Sequence, residues 1–170
     1  MANITLILGG VRSGKSAFAE QFVLQKKKQA VYIATAEVFD EKMQERVDLH
    51  KERRGKQWQE TTAPLNILTK LQQFNQLKNI ILVDCLTVWL GNLFHYQKNI
   101  ESHVSSLVEG LKDIQTEIVF VASEVGLGVM PDNQLAREFC DHAGKLNQAI
   151  SEAASQVYFV AASLPLKLKG

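Results

Sequence analysis

The sequence predicts a three-layer α/β domain built on a mainly parallel sheet. Three observations carry that expectation. Short apolar runs of strand length alternate with stretches of helical composition. Several of those runs, Ile80-Ile81-Leu82-Val83 foremost, are apolar without interruption, the pattern of a strand covered on both faces. The stretches between them are long enough to be crossover connections, which parallel neighbours require.

The elements follow in order. Ile4 to Leu8 runs into glycines and reads as a strand, and Ser13 to Lys28 reads as a helix. Ala30 to Thr35 is rich in β-branched and aromatic residues, hence a second strand. Asp40 to Arg54 is charged throughout, with Met43, Val47 and His50 at helical spacing, the pattern of a solvated helix. After Pro64, Leu65 to Phe74 reads as a helix, Ile80 to Asp84 as a buried strand, and Glu101 to Ile114 as a helix. Ile118 to Ala122 is a strand, Ser123 to Met130 a glycine-containing loop, and Leu135 to Ala154 a helix with a break expected near Gly144. Val157 to Ala161 closes the series as the last expected strand.

Composition sets the outer bounds. With 170 residues, 46% of them hydrophobic and 22% charged, the chain is expected to form one domain, residues 1–170, with a substantial core. No linker or internal repeat divides it. A formal net charge of +1 gives no global field toward nucleic acid or anionic lipid, so no nucleic-acid partner is expected. Cys85 and Cys140 are too few for a disulfide framework and lack metal-ligand spacing, which suits a reducing cytoplasm. The N-terminus lacks the pattern of a signal peptide, and no run is long enough to span a bilayer.

The most specific chemistry lies in Gly9-Gly10-Val11-Arg12-Ser13-Gly14-Lys15-Ser16, which matches G-x-x-x-x-G-K-[ST] between an expected strand and an expected helix. Glycines let successive N–H groups converge on phosphate oxygens, and the helix N-terminus adds partial positive charge. Lys15 would meet the β and γ phosphates, and the Ser16 hydroxyl would ligate a bridging magnesium ion. The motif makes the expected domain a P-loop NTPase with a RecA-like sheet. Asp84, ending an apolar strand at the carboxyl edge, could hold the same magnesium through water. An aspartate there would equally suit the cap of a helix beginning near Thr87.

His50 sits in Arg46-Val47-Asp48-Leu49-His50-Lys51-Glu52-Arg53-Arg54, with Arg46 and Arg54 one helical turn to either side. Neighbouring guanidinium groups favour the neutral imidazole, the nucleophilic form, and could stabilise charge on a transferring phosphoryl group. Composition alone also allows a surface histidine on a solvated helix.

Several segments, taken in order, resemble the bifunctional adenosylcobinamide kinase/adenosylcobinamide-phosphate guanylyltransferase family of cobalamin biosynthesis. They are the Gly9 to Ser16 loop; Tyr32-Ile33-Ala34-Thr35-Ala36; Met43 with Arg46, Val47, His50 and Trp58; Val83-Asp84-Cys85-Leu86-Thr87 with Trp89 to Leu93; Glu124 to Pro131; and Arg137, Asp141, Gly144, Asn147 and Gln148. The resemblance covers nearly the whole chain. It implies phosphorylation of the aminopropanol hydroxyl of adenosylcobinamide by ATP or GTP, then transfer of GMP from GTP to that phosphate with release of pyrophosphate. It further implies a covalent histidine–GMP intermediate at His50, a magnesium requirement and a homotrimer. The guanine nucleotide would contact Gly9 to Ser16, Ala34, Thr35, Ala36, Lys51, Glu52, Arg53, Arg54, Thr62 and Asp84. The family usually carries Glu where this chain has Thr62, whose hydroxyl can hydrogen-bond but cannot act as a carboxylate.

Glu124, near the end of a strand, could serve as the base of the kinase step or could instead shape the glycine loop. Two other readings of the whole also stand at this point. One is a different P-loop small-molecule kinase with a structural His50; the other is a non-catalytic nucleotide switch, including a RecA-like module on DNA. A basic-aromatic groove and an Asn-Lys-x-Asp motif are both absent from the sequence.

Overall fold

The computed structural model describes residues 3–37 and 55–170. In chain order they form β1 (Ile4–Gly9), α1 (Lys15–Leu24), β2 (Gln29–Ala34), a 3₁₀ turn (Gly55–Gln57), β3 (Trp58–Thr62), α2 (Ile67–Gln73) and β4 (Asn79–Asp84). There follow α3 (Leu86–His95), α4 (Ile100–Gly110) with a 3₁₀ extension (Leu111–Asp113), β5 (Glu117–Ser123), α5 (Gln134–Ala153), β6 (Gln156–Ala161) and β7 (Leu164–Lys169). The helix expected over Asp40–Arg54 lies outside the described residues.

The strands make one seven-stranded sheet in the order β3-β2-β4-β5-β1-β6-β7. Every pairing is parallel except β6 with β7. The expected α/β class is therefore the observed one. Helices lie on both faces because the parallel strands are apolar on both, and each face needs a cover. On one face Leu6, Ile33, Ile81, Val83, Ile118 and Phe120 pack with residues of α2, α3, α4 and α5. On the other Ile7, Tyr32, Leu82, Val119 and Val121 pack with Ala19 and Val23 of α1.

Several expectations need correction. Helix α1 begins at Lys15 rather than Ser13, because Gly14 takes a left-handed φ of 91° at the cap, and it ends at Leu24 rather than Lys28. The stretch expected as helix to Ile114 ends as α-helix at Gly110 and tightens into 3₁₀. Helix α5 does not break at Gly144. Its buried stripe of Ala143, Leu146, Asn147 and Ile150 recurs at helical spacing, and that packing outweighs the roughly 1 kcal/mol that an interior glycine costs. Two strands escape the sequence reading. β3 reads Trp-Gln-Glu-Thr-Thr, an edge strand with one buried residue, and β7 reads Leu-Pro-Leu-Lys-Leu-Lys with every residue exposed. The series therefore closes with a hairpin, not with β6. Ala162 and Ser163 form its two-residue turn with φ of 48° and 63°, the left-handed pair that matches the twist of a tight hairpin. Among the described residues, no helix is long and apolar enough to cross a membrane.

Candidate active site

The loop from Gly9 to Ser16 leaves the carboxyl end of β1 and enters α1. Its shape is fixed at several points. Ser13 N–H donates to the Gly10 carbonyl at 3.3 Å, and Arg12 and Gly14 both take left-handed φ, 55° and 91°. The Ser163 N–H of the hairpin turn donates to the Ser13 carbonyl at 2.7 Å. In a trans peptide the N–H points opposite the C=O, so this bond turns the Gly14 N–H away from the hairpin. Gly14 has no room for a side chain, since a Cβ there would stand 2.6 Å from Ser163 Oγ. A Cβ on Gly9 would stand 2.5 Å from the Val160 carbonyl oxygen. Lys15 Nζ curls back and donates to the Gly10 carbonyl at 3.0 Å. The cradle is thus formed, with its ammonium held inside the loop.

Asp84 ends β4, and the junction behind it is tied from several sides. Tyr32 Oη donates to Asp84 Oδ2 at 3.0 Å. Thr35 Oγ1 accepts from Cys85 N–H and donates to the Cys85 carbonyl, both at 2.8 Å. Thr35 is fully buried, so its hydroxyl serves this junction. Asn92, buried on α3, donates to the carbonyls of Thr35 at 2.8 Å and Pro64 at 2.9 Å, and Trp89 Nε1 donates to the Leu65 carbonyl at 2.8 Å. One helix thereby fixes the loops leaving β2 and β3. The capping role considered for Asp84 belongs instead to Cys85, whose Sγ accepts from Val88 N–H at 3.4 Å. Burial pushes the Cys85 thiol up to about 11, and the adjacent Asp84 charge adds to that; Lys15 is near enough to oppose it weakly.

Register brings these groups to one edge. Thr62, Ala34 and Asp84 are abreast on β3, β2 and β4, and Asp84 pairs with Val121 of β5 while Gly9 pairs with Ser123. β1 and β4 both flank β5, so the loop and the carboxylate leave strands about 10 Å apart. Ala36 follows Thr35 at that same edge, and Thr62 is exposed there. His50, Lys51, Glu52, Arg53 and Arg54 lie outside the described residues. Ser16 and Asp84 offer a hydroxyl and a carboxylate, the hard oxygen donors magnesium prefers, and the loop beside them has the form of a phosphate cradle. The residues present therefore fit a magnesium–nucleotide.

The late glycine loop borders the same edge. Glu124 N–H donates to the Gly9 carbonyl at 3.0 Å, and the Glu124 carboxylate accepts from Gly126 N–H at 2.8 Å. Of the two roles considered for Glu124, the structure displays the loop-shaping one. Arg137 Nη1 clamps the far end by donating to the carbonyls of Pro131 and Asp132, at 2.9 and 2.6 Å. Between these anchors Leu127, Val129 and Met130 are strongly exposed.

Comparison with known proteins supplies the family. The family described as cobinamide kinase / cobinamide phosphate guanyltransferase matches residues 5–168. The chain belongs to that family. Its members are bifunctional enzymes. The chain is 40% identical to the bifunctional adenosylcobalamin biosynthesis protein CobP of Pseudomonas aeruginosa, over 97% of this chain and 96% of the relative. It is 30% identical to the CobU protein of Escherichia coli that carries the same description, over 96% and 98%. Solved structures support the fold alone. A RadB recombinase superposes with a TM-score of 0.55 at 13% identity, covering 92% of this chain and 73% of that one. An ATPase of a type III secretion system gives 0.57 at 11% identity, covering 97% and 56%.

The loop, Asp84 and the segment from Ala34 to Ala36, all named from the sequence, are brought to one edge of the sheet. Ser163 is not signalled by the sequence, and the individual parts played by Tyr32, Asn92 and Trp89 are not either, although these three stand in or beside segments that carry the family resemblance. A polar residue inside an apolar run, as Asn92 is in α3, was the available signal.

Proposed function

We propose that this chain phosphorylates adenosylcobinamide with ATP or GTP and then transfers GMP from GTP to the product, giving adenosylcobinamide-GDP and pyrophosphate. The observation that carries this is the pairing of a braced phosphate loop with Asp84 at one sheet edge, in a member of a family with both activities. The nucleotide tail would lie on Gly9 to Ser16, with Val11 and Arg12 at the rim and the loop amides and Lys15 neutralising phosphate charge. Ala34, Thr35, Ala36 and Thr62 border the position of the nucleoside, joined by Lys51, Glu52, Arg53 and Arg54. Magnesium, held by Ser16 and through water by Asp84, would offset the remaining charge on the phosphates when bound.

In the kinase step the substrate hydroxyl attacks the γ phosphorus in line and a nucleoside diphosphate leaves. In the second step neutral His50 attacks the α phosphorus while the loop retains the departing pyrophosphate. The corrinoid phosphate then displaces the histidine, whose protonation makes it a better leaving group. We further infer one domain over residues 1–170, a cytoplasmic location and a homotrimer, in keeping with the family resemblance.

Incubation with α-labelled GTP tests the nucleophile. Acid-labile label should remain on the chain, and His50→Ala should abolish it while sparing kinase activity. Label that persists in His50→Ala would reject the assignment.

A further inference from the structure

We propose that Tyr32 is a positioning residue that sets the orientation of the Asp84 carboxylate toward the metal–nucleotide. This inference rests on the reading of Asp84 as a magnesium-side carboxylate. Register supplies the first argument. Tyr32 pairs with Leu82, and Asp84 lies two residues further along β4, so Leu82 and Asp84 share one face of the sheet. That is the face on which Tyr32 and Leu82 pack with α1, the helix that the phosphate loop opens. The Asp84 carboxylate thus belongs to the side of the sheet that carries Lys15 and Ser16.

The Tyr32 hydroxyl is also rigidly held. Tyr32 is almost wholly buried, and its ring meets Trp58 of β3 edge to face, with centroids 5.9 Å apart and planes at 89°. A ring confined in this way carries its hydroxyl to a fixed point, and the 3.0 Å bond to Oδ2 then fixes the rotation of the carboxylate. Among the described residues, no hydrogen bond is made to Oδ1.

The neutrality of the donor matters as well. A lysine or arginine in place of Tyr32 would orient the carboxylate equally well but would offset its charge. A phenol is a neutral donor, so the carboxylate is aimed while its full charge remains for a cation. Partners of this kind, one step removed from a metal, alter metal affinity when lost.

The test compares Tyr32→Phe, Tyr32→Leu and Asp84→Asn with the parent protein. Three quantities are read: binding of manganese in the presence of GDP by electron paramagnetic resonance, GDP affinity in EDTA, and thermal stability. Tyr32→Phe keeps the ring and its Trp58 contact, and should weaken metal binding roughly 10-fold while leaving metal-free GDP affinity unchanged. Tyr32→Leu should lose more stability yet weaken the metal no further than Phe does. Asp84→Asn should weaken it at least as much. A Tyr32→Phe metal curve that overlays the parent, with Asp84→Asn shifted, overturns the proposal. So does a metal effect that tracks stability across Phe and Leu. If Asp84→Asn itself leaves manganese binding unchanged, the underlying reading of Asp84 falls instead.

Discussion

The carboxyl ends of β1 and β4 lie two strands apart on one sheet edge, and they are built by opposite means. At β1 the functional backbone is written locally: eight consecutive residues supply the glycines, the lysine and the serine, and most of the turn is fixed within the loop itself. At β4 a single aspartate is made specific by residues scattered over β2, β3 and α3. Tyr32 aims it, Thr35 holds the next residue, Cys85, at both its N–H and its carbonyl, and Asn92 secures Thr35 in turn. A backbone ligand can be encoded as a motif, whereas a side-chain ligand on a strand end must be oriented by its surroundings.

The largest effect is expected at Lys15. Lys15→Ala should reduce both the kinase and the guanylyl-transfer rates on the order of 100- to 1000-fold, because each step needs the β and γ phosphates held. Its unfolding temperature should change little, since among the described residues the ammonium bonds a loop carbonyl alone. Rates near those of the parent would remove the loop from the mechanism.

An intermediate effect is expected at the β4 junction. Thr35→Val keeps the volume but strips the buried Cys85 N–H of its acceptor and the carbonyl of its donor, a loss of about 2–4 kcal/mol in denaturant unfolding. Unlike Lys15→Ala, it should lower stability and metal-dependent nucleotide binding together. Stability equal to the parent would show that the junction is held by other contacts.

The smallest effect sharpens the contrast without altering function. The Cys85 thiol is buried and its ionisation is raised to about 11, so at pH 8 it is both inaccessible and protonated, while Cys140 is only half-buried. Since the thiolate is the reactive form, iodoacetamide should label Cys140 first and Cys85 only after denaturant is added. In Thr35→Val the Cys85 labelling should accelerate. Equal rates for the two thiols in the parent would contradict the closed junction.

The same division explains what could be read from the residues. The strands β1, β2, β4, β5 and β6 were legible because each contains an apolar run, and the first four are buried along most of their length. β3 and β7 were not, since an edge strand needs few buried residues, and Trp58 and the Leu164–Leu168 alternation are weak signals alone. The phosphate loop was legible as a run of neighbours. The Tyr32–Asp84, Thr35–Cys85 and Asn92–Thr35 bonds join positions 50 or more apart, a relation created by the β2–β4 register and by the packing of α3. Glu124 was ambiguous for a similar reason, because choosing between base and loop brace required knowing where the Gly126 amide points.

The contact of the hairpin turn with the phosphate loop has a consequence for how the protein comes into being. The Ser163 amide and the Val160 carbonyl back a loop encoded near the start of the sequence, yet they are synthesised long after it. Until the chain has been made through Ser163, the Ser13 carbonyl lacks this donor, so the outer brace of the phosphate loop is the last of its supports to be supplied.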